Sequence, residues 1–248
     1  METVRFCGCK GIRSCLLCET ECNIVKPNLK TYFEKYSSYV YCPHCEKLWP
    51  GWDMDLYKSH PNHKGTAIEF PGVYIKLEFL NVHEIKTLMK ALEEIPWEIS
   101  QSGRRKQNFG PKCNFKKKKL QLEQCTLEYN PVRGASIDPH IDDCWIWGER
   151  IVTVNVAEYS TTCKDLNFDT NSKAKSNEDI VVRLPMPEGS LMVLYGTARY
   201  KWEHCILRED IKSRRICLAY RELTPPYLKN SSNNEEVREL LKRASVFQ

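Results

Sequence analysis

The stretch GSLMVLYGTARYKWEHCILREDIKSRRICLAYREL, residues 189–223, decides how the second half of the chain is expected to fold. Its two ends, 189–195 and 214–223, are short, rich in apolar residues and separated by a turn signal at Gly196, which is typical of strands. Outward from this stretch, the same pattern predicts further strands near 124–129, 150–158 and 178–184. Several short strands in series without intervening helices predict an all-β sandwich or jelly roll.

Helices are expected to flank this β region. Residues 73–80 alternate as one more strand, and Asn81 then caps a helix, with Glu84 placed to complete a capping box. Apolar residues recur along that helix at helical spacing, at Val82, Ile85, Leu88, Met89 and Leu92. Residues 234–245 predict a last amphipathic helix, and 164–177 predict a polar loop. The predicted class is therefore mainly β with flanking helices (α+β).

Composition narrows the classes of protein to consider. The 248 residues are 42% hydrophobic and 28% charged, as in a soluble globular protein with one sizeable domain. Apolar runs fall short of the ~20 residues of a membrane helix, and the start lacks the apolar region of a secretory signal. The formal charge of +5 is uneven: eight basic residues and no acidic one lie between Arg104 and Lys119. This run suits an anionic partner, or equally a solvated surface.

The cysteines divide the chain into two predicted regions, a small Cys-rich module at 1–65 and a larger domain at 66–248. Seven of the 13 cysteines lie in the first 45 residues, and the lack of a secretion signal argues for reduced thiols in an intracellular protein. A module with so small an apolar core needs a stabiliser, and zinc is the expected one. Two Cys-x2-Cys pairs predict a four-thiolate zinc site formed by Cys15, Cys18, Cys42 and Cys45.

Other ligand sets remain open in this module. A second site could use Cys7, Cys9 and Cys22 with His44, His60 and His63. An alternative pairing joins Cys42 and Cys45 to His60 and His63, although a gap of two residues between the histidines is tight for a zinc finger. An iron–sulfur cluster and plain reduced thiols are the remaining interpretations.

A second metal constellation lies in the β region. The segment 137–143 contains His140-x-Asp142, and His204 follows 62 residues after Asp142. In an extended segment, residues i and i+2 point the same way, so His140 and Asp142 can share one metal ion. Two imidazoles and one carboxylate are the usual ligand set of a non-haem Fe(II) oxygenase, which keeps open positions for a co-substrate and O₂.

The strand RICLAYR, residues 215–221, supports this interpretation. Alternation places Arg215 and Arg221 on one face and directs Arg214 away from it. Two buried arginines are costly unless anions meet them, and a dicarboxylate co-substrate would supply such anions. The alternative is an edge strand whose arginines face solvent. Three nearby tryptophans are expected in the core rather than in the pocket, namely Trp145, Trp147 and Trp202.

These residues, taken in order, resemble the AlkB dioxygenases. The resemblance is carried by GSLMVLYGTARYKWEHCI around His204, by Tyr129, and by the spacing from Arg215 to Arg221. The stretches CGCKGIRSCLLCE, QSGRRKQNFGPKCNF and IDPHIDDCWIWGER are similar to an animal branch of that family, so the likeness covers nearly the whole chain.

The resemblance implies a double-stranded β-helix, with its core at about 120–223, and the cofactors Fe(II), 2-oxoglutarate and O₂. It implies that His140, Asp142 and His204 bind iron. Arg215 would hold the distal carboxylate of 2-oxoglutarate with a hydrogen bond from Tyr129, and Arg221 would lie near the carboxylate that chelates iron. Two departures stand out. Leu127 and Cys217 replace asparagines of bacterial members, and a segment expected between residues 120 and 123 is missing.

The implied reaction is oxidative N-demethylation. The implied substrates are a monomethyl-lysine on actin, tied to actomyosin function and cytokinesis, and N6-methyladenine in DNA, with cytoplasm and nucleus as locations. Hydroxylation without loss of the methyl group is a further possibility. The competing hypothesis is a zinc-stabilised scaffold protein whose oxygenase domain is inactive, which the missing segment keeps open.

Overall fold

The computed structural model describes residues 5–109, 124–156, 159–165 and 180–225. Several sequence predictions fall outside these ranges, namely the helix at 234–245, residues 110–119 of the basic run, the shortened join near 120–123 and residues 166–177 of the polar loop.

Strands dominate the described residues. In chain order they are β1 (Ser37–Cys42), β2 (Lys47–Pro50), β3 (Ile68–Glu69), β4 (Val73–Lys76), β5 (Glu98–Ile99), β6 (Arg105–Phe109), β7 (Gln124–Tyr129), β8 (Ile137–His140), β9 (Trp147–Asn155), β10 (Tyr159–Asp165), β11 (Ile180–Met186), β12 (Leu191–Leu194), β13 (Trp202–Ile206) and β14 (Arg215–Leu223). The α-helices are α1 (Leu16–Glu21), α2 (Leu29–Phe33), α3 (Val82–Glu93) and α4 (Gly196–Tyr200), with 3₁₀ turns at Met54–Ser59, Pro131–Arg133 and Arg208–Asp210. None of these helices combines the length and the hydropathy of a membrane-spanning segment.

Strands β7 to β14 build a double-stranded β-helix. The first sheet has the order β3-β2-β1-β11-β10-β13-β8, and the second has the order β4-β12-β9-β14-β7-β6-β5. From β7 to β10, and again from β11 to β14, each successive strand lies in the opposite sheet, which is the winding of a jelly roll. The predicted fold class is therefore confirmed.

The Cys-rich region contributes to the same architecture. Strand β1 pairs in parallel with β11, and β2 and β3 extend the first sheet beyond β1. No boundary between sheets coincides with the predicted division at residue 65, so this division stays a prediction from composition.

Alternation along β14 creates two apolar layers. Ile216 and Leu218 pack outward in one cluster with Ile85 and Leu92 of α3, whereas Cys217 belongs to the core between the sheets. The alternate residues from 215 to 221 consequently face the space between the two sheets. Two predicted core tryptophans, Trp147 and Trp202, belong to this inner core, and Trp145 packs against it.

Helix α3 begins as predicted. The Asn81 side chain accepts hydrogen bonds from the backbone of His83 and Glu84, and the Glu84 carboxylate accepts the Asn81 N–H at 2.8 Å. This reciprocal pairing satisfies N–H groups that the first helical turn leaves free. Strand β4 is shorter than the predicted 73–80, because the chain turns after Lys76 and Glu78 adopts a positive φ of 51°.

Candidate iron and co-substrate site

His140 stands at the end of β8 with one ring nitrogen already engaged. Its Nδ1 donates to the backbone carbonyl of Asp138 at 2.9 Å. This hydrogen bond fixes the ring orientation and leaves the lone pair of Nε2 available to a metal ion. The pattern of an extended segment thus places the predicted ligand with its free nitrogen toward the site.

His204 reaches the same place from β13. It pairs in register with His140 across the antiparallel strands, and the two ring centroids lie 4.3 Å apart. The pairing shifts register just beyond His204. Such bulges re-aim side chains and are frequent beside active sites. Two histidines separated by 64 positions in sequence thereby become direct cross-strand neighbours.

Asp142 completes the group. It follows the end of β8, is 8% exposed, and places Oδ1 3.8 Å from His140 Nε2. The ligand atoms of Asp142, His140 and His204 all lie within 4.8 Å of one another. Two neutral imidazoles and a carboxylate at this spacing fit the facial donor set that Fe(II) oxygenases use. The structure therefore brings the three predicted ligands together.

The protonation states suit a metal site. Burial, followed by the charge of His140, lowers the pKa of His204 to about 3, and burial also lowers the pKa of His140. Burial alone would raise the pKa of Asp142, but the charge and hydrogen bonds of Arg221, joined at acidic pH by the protonated histidines, outweigh it and hold that pKa below its usual range. At neutral pH both imidazoles are thus neutral and the carboxylate is ionised, which are the forms that bind metal.

Arg221 contacts the candidate iron site directly. Its Nε donates to Asp142 Oδ2 at 3.0 Å and its Nη2 donates to Oδ1 at 3.3 Å, while the guanidinium lies 5.7 Å from the centre of the Trp147 ring. The fork of the guanidinium thus orients the carboxylate through both oxygens. The predicted contact of Arg221 with a co-substrate carboxylate stays a prediction, and the contact with Asp142 was not foreseen.

Arg215 and Tyr129 form a buried pair next to this site. They are register partners on β14 and β7, each is 1% exposed, and the guanidinium lies 4.8 Å from the centre of the Tyr129 ring. Burial raises the pKa of Tyr129, so its hydroxyl remains a hydrogen-bond donor at neutral pH. A buried cation beside a phenol donor is a suitable receptor for a carboxylate.

The two residues that replace the bacterial asparagines are neighbours in the structure. Leu127 and Cys217 are register partners, immediately beside the pair formed by Tyr129 and Arg215. Cys217 is buried in the inner core, and Leu127 packs against that core. Because both replacements are apolar and lie side by side on one face of the sheet, they join the core without the amide groups that the asparagines would bury.

Arg214 lies on the opposite face of β14, as alternation predicts. It pairs with Glu93 of α3 at 2.5 Å and with Glu128 of β7 at 2.6 Å. These ion pairs belong to the outer surface of the second sheet and are remote from the inward face that carries Arg215. Its exclusion from the candidate pocket is therefore confirmed.

Two supporting residues were missed. Asn155 of β9 accepts a hydrogen bond from Arg215 Nε at 2.9 Å and is fully buried. Arg199 of α4, 1% exposed, donates to the backbone carbonyls of Asp142 at 3.0 Å and of Trp147 at 3.3 Å. A signal existed for Asn155, since its amide follows the apolar and β-branched residues 151–154 of β9, whereas the partners of Arg199 depend on the tertiary path of the chain.

The predicted four-thiolate zinc set is not brought together. Cys15 and Cys18 belong to a cluster at the start of α1, and Cys42 and Cys45 belong to another around the turn between β1 and β2. The first cluster is completed by Cys7 and Cys9, and the second by His60 and His63. The prediction was wrong because a Cys-x2-Cys pair defines half of a site and does not specify its other half. The structure instead groups Cys42 and Cys45 with His60 and His63, which is the alternative pairing given above.

Comparison with known proteins identifies the family. No family model matches the chain. The human "Alpha-ketoglutarate-dependent dioxygenase alkB homolog 4" is 33% identical over 301 residues, covering 100% of this chain and 96% of that protein. The alignment is longer than the 248 residues of this chain, so it contains positions that this chain lacks. The "DNA N6-methyl adenine demethylase" of Caenorhabditis elegans is 29% identical over 261 residues, covering 87% of this chain and 86% of that protein.

One solved structure, a 2OG-Fe(II) oxygenase family oxidoreductase from Burkholderia pseudomallei, aligns with 60% of this chain and 83% of its own, at 8% identity and a TM-score of 0.42. With a relative 33% identical over its whole length, the chain belongs to the AlkB family of alpha-ketoglutarate-dependent dioxygenases, enzymes that use Fe(II), 2-oxoglutarate and O₂.

Proposed function

We propose that this enzyme removes N-methyl groups oxidatively, with iron bound by His140, Asp142 and His204. The observation that carries the proposal is the convergence of these ligand atoms within 4.8 Å, on the neighbouring strands β8 and β13 and in the segment that follows β8. Iron with 2-oxoglutarate and O₂ supplies the oxidising power to hydroxylate a methyl C–H bond. A hydroxylated N-methyl group then leaves as formaldehyde, and 2-oxoglutarate becomes succinate and carbon dioxide.

Arg215 and Tyr129 are proposed to hold the distal carboxylate of 2-oxoglutarate. Asn155 accepts from Arg215 Nε, which fixes the guanidinium plane and directs its remaining N–H groups. The burial of Arg215 and Tyr129 strengthens their interaction with an anion, because water does not screen it. The apolar pair of Leu127 and Cys217 adds no hydrogen bond, so recognition depends on these few polar groups.

Arg221 and Arg199 are proposed as positioning residues of the iron site. Arg221 engages both oxygens of Asp142, and one oxygen can bind metal while the other keeps its hydrogen bond. Arg199 holds the backbone of the segment that follows Asp142. Hydrogen bonds to a ligating carboxylate keep it in the geometry that the metal requires.

Methylated DNA is the substrate that we favour, because the Caenorhabditis elegans relative is named for demethylation of N6-methyladenine. The basic run adds little to this choice. Arg105 is paired with Glu128 at 2.6 Å, and Arg104 lies 6.0 Å from the centre of the Tyr129 ring. Arg104 and Arg105, the two arginines of this run, thus both make contacts within the fold. Monomethyl-lysine on actin, implied by the resemblance, is the competing substrate.

Turnover of 2-oxoglutarate tests the enzymatic proposal. Iron-loaded protein should produce succinate, His140→Ala should abolish it, and His83→Ala should not affect it, since His83 is exposed on α3. A folded, iron-loaded protein that makes no succinate would support the scaffold hypothesis instead.

Formaldehyde release identifies the substrate. The enzyme is incubated in parallel with N6-methyladenine DNA and with a monomethyl-lysine actin peptide. We expect formaldehyde from the DNA. Release from the peptide alone would show that the substrate is a protein. A substrate that gains one oxygen atom without losing its methyl group would show that the reaction is hydroxylation rather than demethylation.

A further inference from the structure

Four cysteines near the amino-terminal end form a compact cluster of sulfur atoms. All Sγ atoms lie within 4.8 Å of one another, with Cys7–Cys18 at 3.3 Å and Cys15–Cys18 at 3.8 Å, and Cys9 completes the set. A tetrahedral zinc ion with Zn–S distances of about 2.3 Å separates its sulfur ligands by about 3.8 Å. The spacing therefore matches four ligands around one ion.

This cluster is the core of its own segment. Cys9, Cys15 and Cys18 are each no more than 3% exposed, and their apolar neighbours in the cluster are Cys7 and Ile24. Backbone N–H groups of Ser102 and Gly103 donate to the Cys9 sulfur. A segment whose interior consists mainly of thiols gains little from burial alone, so a bound metal is the natural source of its stability.

A second cluster surrounds the turn between β1 and β2. Cys42, Cys45, His60 and His63 also place their ligand atoms within 4.8 Å, and Cys45 Sγ lies 3.9 Å from His63 Nε2. Tetrahedral zinc with Zn–S of about 2.3 Å and Zn–N of about 2.0 Å sets such a pair about 3.5 Å apart. Two cysteines and two histidines at this spacing form a second complete ligand set.

The sulfur atoms of this second cluster are supported by donors. Backbone N–H groups of His44 and Cys45 donate to the Cys42 sulfur. The indole Nε1 of Trp49 donates to Cys45 Sγ at 3.4 Å. Hydrogen bonds of this kind stabilise thiolates and orient metal ligands. The turn thus supplies hydrogen-bond donors to both sulfur atoms, as second partners of metal-bound cysteines do.

We propose that this chain binds two structural zinc ions, in addition to the catalytic iron, at two separate sites. One ion is held by Cys7, Cys9, Cys15 and Cys18, and the other by Cys42, Cys45, His60 and His63. Thiolate and imidazole ligands in tetrahedral sets select zinc. All four positions of each ion are filled by protein, which is the arrangement of structural rather than catalytic zinc.

The first zinc site also supports the co-substrate pocket. Ser102 and Gly103, which donate to Cys9, immediately precede Arg104, and Arg104 lies 6.0 Å from the centre of the Tyr129 ring. The Ser102 carbonyl in turn accepts the N–H of Ser136, just before β8. Loss of this ion should therefore disturb the residues next to Tyr129, whereas loss of the second ion should affect the edge of the first sheet.

Zinc content per chain tests the proposal. The full chain, carrying His140→Ala and Asp142→Ala so that the iron site takes up no metal, is expressed with zinc and analysed by elemental mass spectrometry. We expect two zinc ions. Cys18→Ser and His63→Ala should each reduce the content to one, and both changes together should remove it. Cys22→Ser and His44→Ala are the matched controls and should retain both ions, since neither belongs to a cluster.

X-ray absorption at the zinc edge gives an answer that requires no substitution in the clusters. The two sites together contain six thiolates and two imidazoles, so each zinc should show on average three sulfur neighbours and one nitrogen. One zinc per chain with four sulfur neighbours would overturn the second site, and its loss in Cys42→Ser as well as in Cys15→Ser would restore the single site made from the two Cys-x2-Cys pairs. Absence of zinc, or a visible charge-transfer band from iron and sulfide, would also overturn the proposal. None of these readouts depends on turnover, so the demethylase proposal is judged separately.

Discussion

Replacement of Glu128 by glutamine should remove a large part of the stability of the second sheet. The carboxylate of Glu128 is fully buried on the outer side of β7 and is surrounded by Arg105, Arg133 and Arg214. Each arginine is about one-third exposed and keeps contact with water. The three cations therefore converge on one buried anion that ties β6, β7 and the start of β14 together.

The pKa of Glu128 sets the size of the effect. Burial alone would raise this pKa, but the hydrogen bonds from Arg105 and Arg214 and the charge of Arg133 lower it from 4.5 to about 2. That difference corresponds to about 3 kcal/mol of preference for the ionised form in the folded state. Removal of one partner from a buried ion pair costs roughly 3–5 kcal/mol. Because the arginines can rehydrate, we expect Glu128→Gln to lower the free energy of unfolding by about 3 kcal/mol.

The dependence on pH follows from the same values. The folded pKa of Glu128 lies below its unfolded value, so the unfolded chain binds the proton first as the pH falls. The stabilisation is complete above about pH 5 and is lost between about pH 5 and pH 2. The glutamine variant should lack this part of the acid sensitivity, and the two proteins should converge in stability as the pH falls.

Urea unfolding followed by circular dichroism at neutral and acidic pH measures both effects. Glu94→Gln is the matched control, since Glu94 is exposed at the end of α3 and should change the free energy of unfolding by less than about 0.5 kcal/mol. A loss of less than about 1 kcal/mol for Glu128→Gln, or an unchanged pH dependence, would refute the reasoning.

Three further predictions concern the site and the flanking helix. Arg215→Lys should raise the KM for 2-oxoglutarate at least about tenfold, because lysine lacks the guanidinium fork and the contact with Asn155. Succinate production at varied 2-oxoglutarate concentrations measures the KM, and an unchanged KM would show that Arg215 does not bind the co-substrate. Metal-free protein should lose stability as the pH falls below about 6.5, because His204 is protonated there in the unfolded chain but only near pH 3 in the folded one. Thermal unfolding at several pH values measures this loss, and the His204→Asn variant should show a weaker pH dependence than the wild type. Asn81→Ala should lower the free energy of unfolding by about 1 kcal/mol without changing the KM, as chemical denaturation and succinate assays will show.

The grouping of the proposed iron ligands and the inward face of β14 could be predicted because each depends on local rules. His140 and Asp142 share a short extended segment, and alternation alone separates Arg214 from Arg215. Residue type then restricts the chemistry, since few sites need two histidines, a carboxylate and buried arginines.

The remaining contacts required the path of the chain in three dimensions. The partner of Arg221 is Asp142, 79 residues away, and no pattern in the sequence relates the two. The predicted four-cysteine zinc site was wrong for the same reason. Cys15 and Cys42 each begin a Cys-x2-Cys motif, but β1, which ends at Cys42, pairs within the first sheet, and Cys42 lies in a different cluster from the cysteines at α1. Strand β13 was also missed, because the short helix α4 precedes it and only five residues carry its pattern.

The pairing of β7 with β14 has a consequence for synthesis on the ribosome. Tyr129 and Arg215 belong to the first and the last strand of the β-helix, yet they are register partners. A nascent chain that lacks β14 cannot assemble the proposed carboxylate receptor, however well its earlier strands have folded, because Arg215 has not yet been made. Contacts between such distant parts of a chain form late and slowly. Binding of the co-substrate therefore becomes possible only when the last strand emerges, so 2-oxoglutarate can stabilise a finished molecule but cannot guide the folding of an unfinished one.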